Sequence, residues 1–499
     1  MLVLGIDIGT SAIKVAVVDA ATQRVIAAAK YPEEESPIKA LQPGWAEQSP
    51  EMWWDQVCRA FEKCKAGGAF HPQDIGAIGI AYQMHGLVLT DHRQQLLRDS
   101  IIWCDSRAVE TGAQAFDALG QAYCLSHLLN SPGNFTVSKL AWVKQHEPEQ
   151  YARVAHFMLP GDYIAMKLTS VITTSISALS EGICWDFKDN CISTTLLDYY
   201  GIDPALVPEI RPVFAEHGTV TAAAAQLTGL KAGIPVSYKS GDQPNNALSL
   251  NVLQPGEVAA TAGTSGVIYG VSDQLSYDPQ SRVNTFAHVN HTPQQQRLGV
   301  LLCINGTGSM NRWAKNNTGG GLSYPEMNAA AKSTPIGAAG LSVLPFGNGA
   351  ERMLGNRVTG AHFRNIDLNQ HSPAHIFRAV QEGIAFSFRY GLDIMRSNGL
   401  QPSVIRAGKA NLFLSGLFLE AFVNSTGVPV ELYENDGSVG AALGAAIGAG
   451  YYRSPETAFV QHKPLQLVEP LQAAPYEAAY QQWLYYLNEQ LHSKPRQTI

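Results

Sequence analysis

Two similar hairpin segments limit the fold of this chain more than any other feature of its sequence. The first, LVLGIDIGTSAIKVAVVD, runs from residue 2 to 19, and the second, EVAATAGTSGVIYGVSD, runs from residue 257 to 273. Each is predicted to form a strand, a short Gly-Thr-Ser turn and a second strand, so the paired strands must be antiparallel neighbours. We therefore expect a duplicated unit, with a site in the crevice between its two copies.

Each hairpin is followed by a segment with helical periodicity. Residues 50–68 place three apolar side chains on one helix face: Trp53, Val57 and Phe61. Residues 372–399 do the same with Ile376, Val380, Ile384 and Phe388. Apolar residues at this spacing are typical of an amphipathic helix. Hairpins followed by crossover helices, twice over, predict an α/β chain of two domains.

The boundary between the two domains is expected near Asp242. One domain then covers residues 1–245 and the other residues 246–499, and the second is predicted to end in a helix from Pro475 to Leu491. The inward face of that helix is expected to carry Tyr480, Trp483, Leu487 and Leu491. Both domains are long enough to bury a core of their own.

Composition excludes several classes of protein. Apolar residues make up 45% and charged residues 15% of the 499 residues, which is typical of an ordinary folded globular protein. The net charge is 35 − 42 = −7, and no basic block occurs. We therefore expect neither nucleic acid nor an anionic membrane surface as the main partner.

The start of the chain and its cysteines indicate the compartment. The opening MLVLGIDIGTSAIK lacks the basic leader of a signal peptide, and the longest small-and-apolar run, residues 439–452, is shorter than the ~18 residues that span a bilayer. Seven scattered cysteines without CxxC or zinc spacing are typical of reduced thiols. The expectation is a cytoplasmic protein.

The two Gly-Thr-Ser turns are candidate phosphate sites. Their backbone N–H groups and hydroxyls can cradle phosphate oxygens, which makes Gly9, Thr10, Ser11, Gly263 and Thr264 candidate nucleotide-binding residues. A plain hairpin is the alternative for either turn alone. No Walker loop GxxxxGK[ST] and no dinucleotide fingerprint occurs.

Two acids lie beside these turns. Asp7 ends the first strand, and Asp242 follows a strand-like run in a second loop bounded by glycine. Phosphoryl transfer to an alcohol needs an acceptor for the hydroxyl proton and Mg²⁺ to bridge the phosphate oxygens. Two carboxylates in one cleft could divide those tasks. For Asp242, the alternative is a turn residue that caps its own backbone.

The segment IAYQMHGLVL, residues 80–89, is the candidate substrate wall. Gln83, Met84 and His85 interrupt a strand-like run at Gly86, so the backbone turns and these side chains can project into a cleft. A polyol or keto-sugar would suit this mixture of donors, acceptors and one apolar contact. The alternative for His85 is a hydrogen-bonded core residue.

Glycine also recurs near the end of the second half. Gly440, Gly444 and Gly448 mark a helix face on which another backbone can come close, and tight packing explains them without a ligand. The loop with Gly408 and Asn411 lies between a strand and a helix, where an adenosine could rest on the backbone.

The assembled motifs resemble the FGGY carbohydrate kinases over nearly the whole chain. Each motif is weak alone, and their order and spread carry the resemblance: GIDIGTSAIK, PGWAEQSPEMWWDQV, AYQMHG, IIWCDSRA, KLAWVKQHEPE, LPGDYIAMKLT, SGDQPNNA, TAGTSGVIYGVS, LPFGNGAER and FRAVQEGIAF. Within the family, QMHG resembles the members that phosphorylate D-xylulose.

The resemblance implies two actin-like, ribonuclease-H-like domains that close on ATP and a sugar held between them. It implies that Asp242 accepts the proton of the sugar's terminal hydroxyl and that Asp7 lies beside Mg²⁺ and the phosphates, with both acids as candidate metal ligands. It assigns Met84 and His85 to the sugar. Four residues are assigned to the nucleotide: Gly263, Thr264, Gly408 and Asn411. A homodimer is a further expectation.

Three segments depart from the family pattern. The adenosine loop reads RAGKAN, which places Lys409 where a long cation could cover the base or meet a phosphate. The segment PFGNGAERM lacks the Thr-Pro of its relatives, and TTSISALSEG, residues 173–182, lacks an Asp that is common there. These departures concern nucleotide affinity and sugar choice more than the type of reaction.

The leading hypothesis is an ATP-dependent kinase that converts D-xylulose to its 5-phosphate. A kinase for another ketose or polyol, such as ribulose or fuculose, is the alternative within the family. An actin-like ATPase acting as a chaperone or regulator is the alternative from another class, and it would need an appended domain. A dehydrogenase would need the missing dinucleotide fingerprint.

Overall fold

The computed structural model describes residues 1–492. The strands of its two large sheets are β1 (Leu2–Ile8), β2 (Ile13–Asp19), β3 (Val25–Tyr31), β4 (Ile75–Tyr82), β5 (Val236–Gly241), β6 (Glu257–Ala262), β7 (Gly266–Ser272), β8 (Asn284–Ala287), β9 (Leu298–Ile304), β10 (Val404–Gly408), β11 (Val430–Tyr433) and β12 (Gln466–Val468). Five two-stranded ladders accompany them: Glu47–Gln48 with Ser100–Ile101, Val88–Thr90 with His156–Met158, Thr173–Thr174 with Glu209–Ile210, Trp185–Asp186 with Cys191–Ile192, and Ser342–Leu344 with His362–Arg364.

The helices alternate with these strands along the chain. Those of six residues or more are α1 (Pro50–Ala66), α2 (Val109–Leu119), α3 (Thr136–His146), α4 (Pro160–Thr169), α5 (Ile176–Glu181), α6 (Thr194–Tyr200), α7 (Ala222–Thr228), α8 (Asp242–Ser249), α9 (Gly308–Thr318), α10 (Tyr324–Lys332), α11 (Pro373–Ser397), α12 (Gly416–Thr426), α13 (Gly437–Gly448) and α14 (Ala473–His492). Shorter α-helical turns span Gln121–Tyr123, Pro148–Tyr151 and Pro455–Ala458. Within the described residues, none of the helices is both long and apolar enough to span a bilayer.

The two sheets repeat one topology. In the first, the order is β3-β2-β1-β4-β5, with β1, β2 and β3 antiparallel and β4 and β5 parallel to β1. In the second, β9-β7-β6-β10-β11 repeats that order and those directions, and β8 and β12 are added at the edges. The predicted antiparallel hairpins and the two related α/β domains are confirmed.

The predicted helices are confirmed at their faces and ends. Helix α1 begins with Pro50 after the N-cap Ser49, and Trp53, Val57 and Phe61 are buried. Helix α11 buries Val380, Ile384 and Phe388 completely and Ile376 in part. In helix α14, which is slightly longer than predicted, Tyr480, Trp483 and Leu487 are buried and Leu491 is partly buried.

The glycines of helix α13 let it pack closely against the first sheet, although this helix comes from the second half of the chain. A Cβ on Gly444 would lie 2.6 Å from the ring of Tyr238, and a Cβ on Gly448 would lie 1.8 Å from the carbonyl oxygen of Ser237. The tight-packing explanation of these glycines is therefore confirmed. Helix α13 thus couples the second half of the chain to strand β5.

The register of the first sheet brings the predicted site segments together. Ile8, Tyr82 and Gly241 end three neighbouring parallel strands, and they pair side by side. The residue that follows each strand therefore lies at the same edge of the sheet. This is the carboxyl-terminal edge, where ligands bind in other open α/β sheets. The first Gly-Thr-Ser turn, the QMHG segment and Asp242 all begin there.

Candidate active site

Asp242 is the first residue of helix α8, and the expectation of a loop at this position is wrong. It directly follows strand β5, so its backbone belongs to a strand–helix junction. Burial, followed by the charge of Asp7, raises the pKa of Asp242 to about 7, against the opposing effect of donors from Gln243. The Gln243 side-chain amide donates to Asp242 Oδ2 at 3.2 Å. A carboxyl with this pKa can hold or release a proton near neutral pH.

Asp7 lies at the same edge of the sheet, on strand β1. Burial raises the pKa of Asp7 to about 6, the charge of Lys14 opposes that rise, and Asp436 adds to it. The start of helix α13 lies against this carboxylate, because a Cβ on Gly437 would be 2.4 Å from Asp7 Oδ2. Any side chain at position 437 would displace the Asp7 carboxylate, so this position requires glycine.

The two acids fit a divalent cation. Both are carboxylates with raised pKa values at one edge of one sheet, and Mg²⁺ takes hard oxygen ligands of this kind. A bound cation would relieve the repulsion between them. Asp7 and Asp242 are therefore the residues that would hold Mg²⁺, which would supply charge neutralisation for phosphate oxygens.

The first Gly-Thr-Ser turn is braced by side chains from three segments. Thr10 Oγ1 donates to Gln83 Oε1 at 3.0 Å and accepts from Trp103 Nε1 at 2.9 Å. Gln48 Nε2 donates to the Thr10 carbonyl at 2.8 Å. Gly9 and Thr10 are half-buried and Ser11 is exposed. The turn is thus held in one shape at the edge where Asp7 lies.

Gln83 lies behind this turn. Its Oε1 accepts from Thr10, and its Nε2 donates to Gln48 Oε1 at 3.1 Å. The side chain is 3% exposed. Gln83 therefore supports the first turn through both of its polar atoms, and a direct sugar contact at Gln83 would have to compete with these two bonds.

The second Gly-Thr-Ser turn packs against the start of helix α9. The carbonyl of Gly263 accepts from Gly308 N at 2.9 Å and from Thr307 Oγ1 at 3.1 Å, and the carbonyl of Thr264 accepts from Ser309 N at 3.1 Å. This turn is therefore anchored to the N-terminal end of helix α9 by its own carbonyl groups.

A cavity of about 690 Å³ opens beside the second turn. Gly263, Thr264 and Asn411, three of the predicted nucleotide residues, are among its lining residues. Its walls also include side chains that the sequence did not single out: Asn311, Arg312, Tyr324 and Asn328. The size suits a nucleoside, because ligand pockets commonly measure ~300–1,000 Å³.

The remaining predicted nucleotide residues lie at the end of strand β10. Gly408 is its last residue, and a Cβ there would lie 3.2 Å from Asn435 Cβ. Lys409 donates its backbone N–H to the Tyr433 carbonyl at 2.8 Å and has an exposed side chain. Gly408 and Lys409 do not line the cavity described above, whereas Asn411 does.

The QMHG segment contacts both halves of the protein. Met84 is buried against Gly241, since a Cβ on that glycine would lie 2.6 Å from Met84 Cγ. The His85 ring centroid lies 4.9 Å from that of Phe135 and 5.4 Å from that of Phe286, a residue of β8 in the second sheet. Burial, followed by the charge of Lys139, lowers the pKa of His85 to about 3. His85 is therefore a neutral, half-buried imidazole.

Comparisons with known proteins cover most of the chain. The model of the FGGY family of carbohydrate kinases, N-terminal domain, matches residues 2–249, and that of the C-terminal domain matches residues 258–452. The chain belongs to the FGGY family of carbohydrate kinases. The resemblance described above is therefore confirmed.

Individual FGGY kinases are similar over nearly full length. Xylulose kinase of Escherichia coli (strain K12) is 30% identical over 484 residues, 96% of each chain. The crystal structure of a "xyloylose kinase" from Brucella ovis has a TM-score of 0.89 at 26% identity and covers 99% of both chains. That of xylulose kinase from Rhodospirillum rubrum has a TM-score of 0.88 at 27% identity and covers 99% of this chain and 100% of its own.

The structure adds two residues, Trp103 and Arg352, that contact the candidate site segments or their neighbours and that sequence reasoning missed. Trp103 lies within the IIWCDSRA motif, and its bond to Thr10 joins that motif to the first turn. Arg352 lies in the departing PFGNGAERM segment, and its guanidinium carbon is 6.0 Å from the centroid of the Phe135 ring. Trp103 is exposed, which is unusual for tryptophan, but this exposure is visible only in the structure. Nothing in the local sequence pairs Arg352 with Phe135.

Proposed function

We propose that this FGGY kinase transfers the γ-phosphoryl group of ATP to the terminal hydroxyl of D-xylulose and forms D-xylulose 5-phosphate. The observation that carries the proposal is the alignment of Ile8, Tyr82 and Gly241. Because of that alignment, Asp7, Asp242 and the His85 segment all lie at one edge of the first sheet. The names of the E. coli and R. rubrum relatives support xylulose as the sugar.

In the proposed step, the Asp242 carboxylate accepts the proton of the attacking hydroxyl. The oxygen forms a bond to the γ-phosphorus, the bond between that phosphorus and the β–γ bridging oxygen breaks, and ADP leaves with the electron pair. Little covalent work falls to the protein in such a transfer, so positioning and electrostatics dominate. The pKa of Asp242, raised to about 7, makes this carboxylate a stronger base than an ordinary aspartate.

The nucleotide is proposed to span the two turns. Its phosphates lie at Gly9, Thr10, Ser11, Gly263 and Thr264, and its adenosine lies toward Gly408 and Asn411. Support comes from the cavity beside the second turn, which Gly263, Thr264 and Asn411 line. The Lys409 ammonium is proposed to meet a phosphate from outside that cavity.

The sugar is proposed to bind on the His85 side of Asp242. Met84 lies against Gly241 and offers an apolar contact, and His85, the next residue, offers a polar ring atom. We also propose a cytoplasmic location, supported by seven free cysteines. The homodimer implied by the resemblance stays a prediction.

A coupled ADP-release assay tests the substrate. ATP and Mg²⁺ are supplied with D-xylulose, L-xylulose, D-ribulose, L-ribulose, L-fuculose, glycerol or gluconate, and the phosphorylated carbon is identified by ³¹P NMR. The expected result is the highest kcat/KM with D-xylulose and a 5-phosphate product. Preference for another sugar would overturn the substrate and keep the kinase, whereas a folded protein without sugar-stimulated ADP release would overturn both.

A further inference from the structure

Glu181, the last residue of helix α5, contacts the His85 segment twice. Its main-chain oxygen lies 3.0 Å from His85 Nδ1, and its side-chain Oε1 accepts from the His85 backbone N–H at 3.4 Å. His85 has a φ of 63°, a left-handed conformation that is uncommon for residues other than glycine. Such a conformation persists only where its surroundings hold it, so Glu181 is part of what holds the segment.

The first of these contacts determines the tautomer of His85. A carbonyl oxygen can only accept a hydrogen bond, so the bond requires a proton on Nδ1. The ring is neutral near pH 7, and Nε2 then carries a lone pair. Among the described residues, Nδ1 is the ring atom of His85 with a hydrogen-bond partner. The free Nε2 can therefore accept a bond from a substrate hydroxyl, but it cannot donate one to a carbonyl.

The other side-chain oxygen of Glu181, Oε2, lies beside the residue that precedes Asp242. Glu181 is 1% exposed, and its Oε2 has no hydrogen-bond partner among the described residues. A Cβ on Gly241 would lie 2.5 Å from that oxygen, so the carboxyl group fills the space beside the residue that precedes Asp242. Burial raises the pKa of Glu181 well above its usual range, and the charge of Asp242 adds to this rise. The side chain is thus wedged between the His85 segment and the start of helix α8.

We propose that Glu181 is a positioning residue for substrate recognition: it holds the His85 segment and its tautomer so that Nε2 accepts a hydrogen bond from a hydroxyl of the sugar. This inference rests on the proposed function, because it places a sugar on the His85 side of Asp242. Glu181 lies in the TTSISALSEG segment, residues 173–182. Sugar choice therefore depends here on a residue that does not itself touch the sugar.

A double-mutant cycle tests the indirect role. The loss of one substrate hydrogen bond lowers affinity by about tenfold. His85→Ala and Glu181→Ala should therefore each raise the sugar KM by about tenfold, with kcat and the ATP KM little changed. The double variant should be no worse than His85→Ala, because Glu181 acts through His85. Glu181→Gln keeps an oxygen for the His85 N–H and should restore most of the loss. Multiplying effects, or no rescue by Gln, would overturn the proposal.

The tautomer is measured without turnover. In protein labelled with ¹⁵N-histidine, the ring signals of His85 are assigned by their loss in His85→Gln. The expected spectrum has the proton on Nδ1 in the wild type and also in Glu181→Ala, because the substitution keeps the main-chain oxygen that accepts from Nδ1. A proton on Nε2 in the wild type would overturn the inference. If the proposed function alone were wrong, the Nδ1 tautomer would be present while none of the sugars was phosphorylated.

Discussion

The charge of Asp7 raises the pKa of Asp242 across the edge of the first sheet. Asp7 lies on β1 and Asp242 directly follows β5, and these two strands flank β4 on either side, so the sheet sets the spacing of the two acids. Burial has the larger effect, and together the two raise the pKa of Asp242 to about 7. The fold thereby supplies a carboxyl group whose proton affinity suits neutral pH.

The pH profile of turnover should report this coupling. Asp242 must be ionised to accept a proton, so kcat/KM for the sugar should fall as the pH drops below about 7. Asp7→Asn removes the neighbouring charge and should move this acidic limb to lower pH in its residual activity. Initial rates from pH 5 to 9 measure both. If the acidic limb of the kcat/KM profile had the same midpoint in Asp7→Asn as in the wild type, the charge of Asp7 would not raise the pKa of Asp242.

The raised pKa of Asp242 also predicts a cost in stability. Its carboxyl binds a proton more tightly in the folded chain than in the unfolded chain, so the folded state loses stability as the pH rises from about 3.8 to about 7. Asp242→Asn should therefore raise the free energy of unfolding by on the order of 1 kcal/mol at pH 8 and by much less at pH 4. Urea unfolding at the two pH values measures this. An equal gain at both would attribute the effect to something other than ionisation.

Gly448 should tolerate no side chain. A Cβ at this position would lie 1.8 Å from the Ser237 carbonyl oxygen, and backbone cannot move aside without shifting β5 or helix α13. Gly448→Ala is expected to destabilise the protein by about 1–3 kcal/mol through overpacking. Gly67→Ala is the matched control, because a Cβ on Gly67 would have no atom within 4 Å. Equal thermal unfolding of the two variants would contradict the close helix–sheet packing.

Lys409 should affect the nucleotide and leave the sugar alone. Its exposed ammonium is proposed to meet a phosphate, and exposed charge pairs are worth at most ~1 kcal/mol. Lys409→Ala is expected to raise the ATP KM by about fivefold, an effect that weakens in added salt, with the sugar KM unchanged. Lys409→Arg keeps the charge and is the control. An unchanged ATP KM in Lys409→Ala at low salt would remove this residue from the nucleotide site.

Local patterns predicted the elements of the fold well. The Gly-Thr-Ser turns identified both hairpins, and apolar spacing identified helices α1, α11 and α14, because these signals need only neighbours in sequence. The similarity of the two hairpin segments predicted the duplicated sheet, because each hairpin is also recognised from neighbours in sequence.

The site required contacts between distant parts of the chain. No local pattern states that Tyr82 and Gly241 pair side by side, or that helix α13 from the second half packs on the first sheet. Gln83 looked like a cleft residue because it interrupts an apolar strand, yet Thr10 and Gln48 engage its amide inside the protein. Phe286 reaches His85 from the other sheet. Such partners follow from tertiary packing, which spacing alone does not encode.

Single-turnover transfer from [γ-³²P]ATP to D-xylulose by Asp242→Asn tests the role of the base most directly. Asparagine keeps the shape of the side chain and cannot accept the hydroxyl proton, so the rate should fall by about 10²–10⁴-fold while the variant still binds sugar and ADP in equilibrium dialysis. Asp242→Glu, which retains a carboxylate, should keep more activity than Asp242→Asn. A folded Asp242→Asn protein that transfers phosphate at near the wild-type rate would contradict the assignment of Asp242 as the general base.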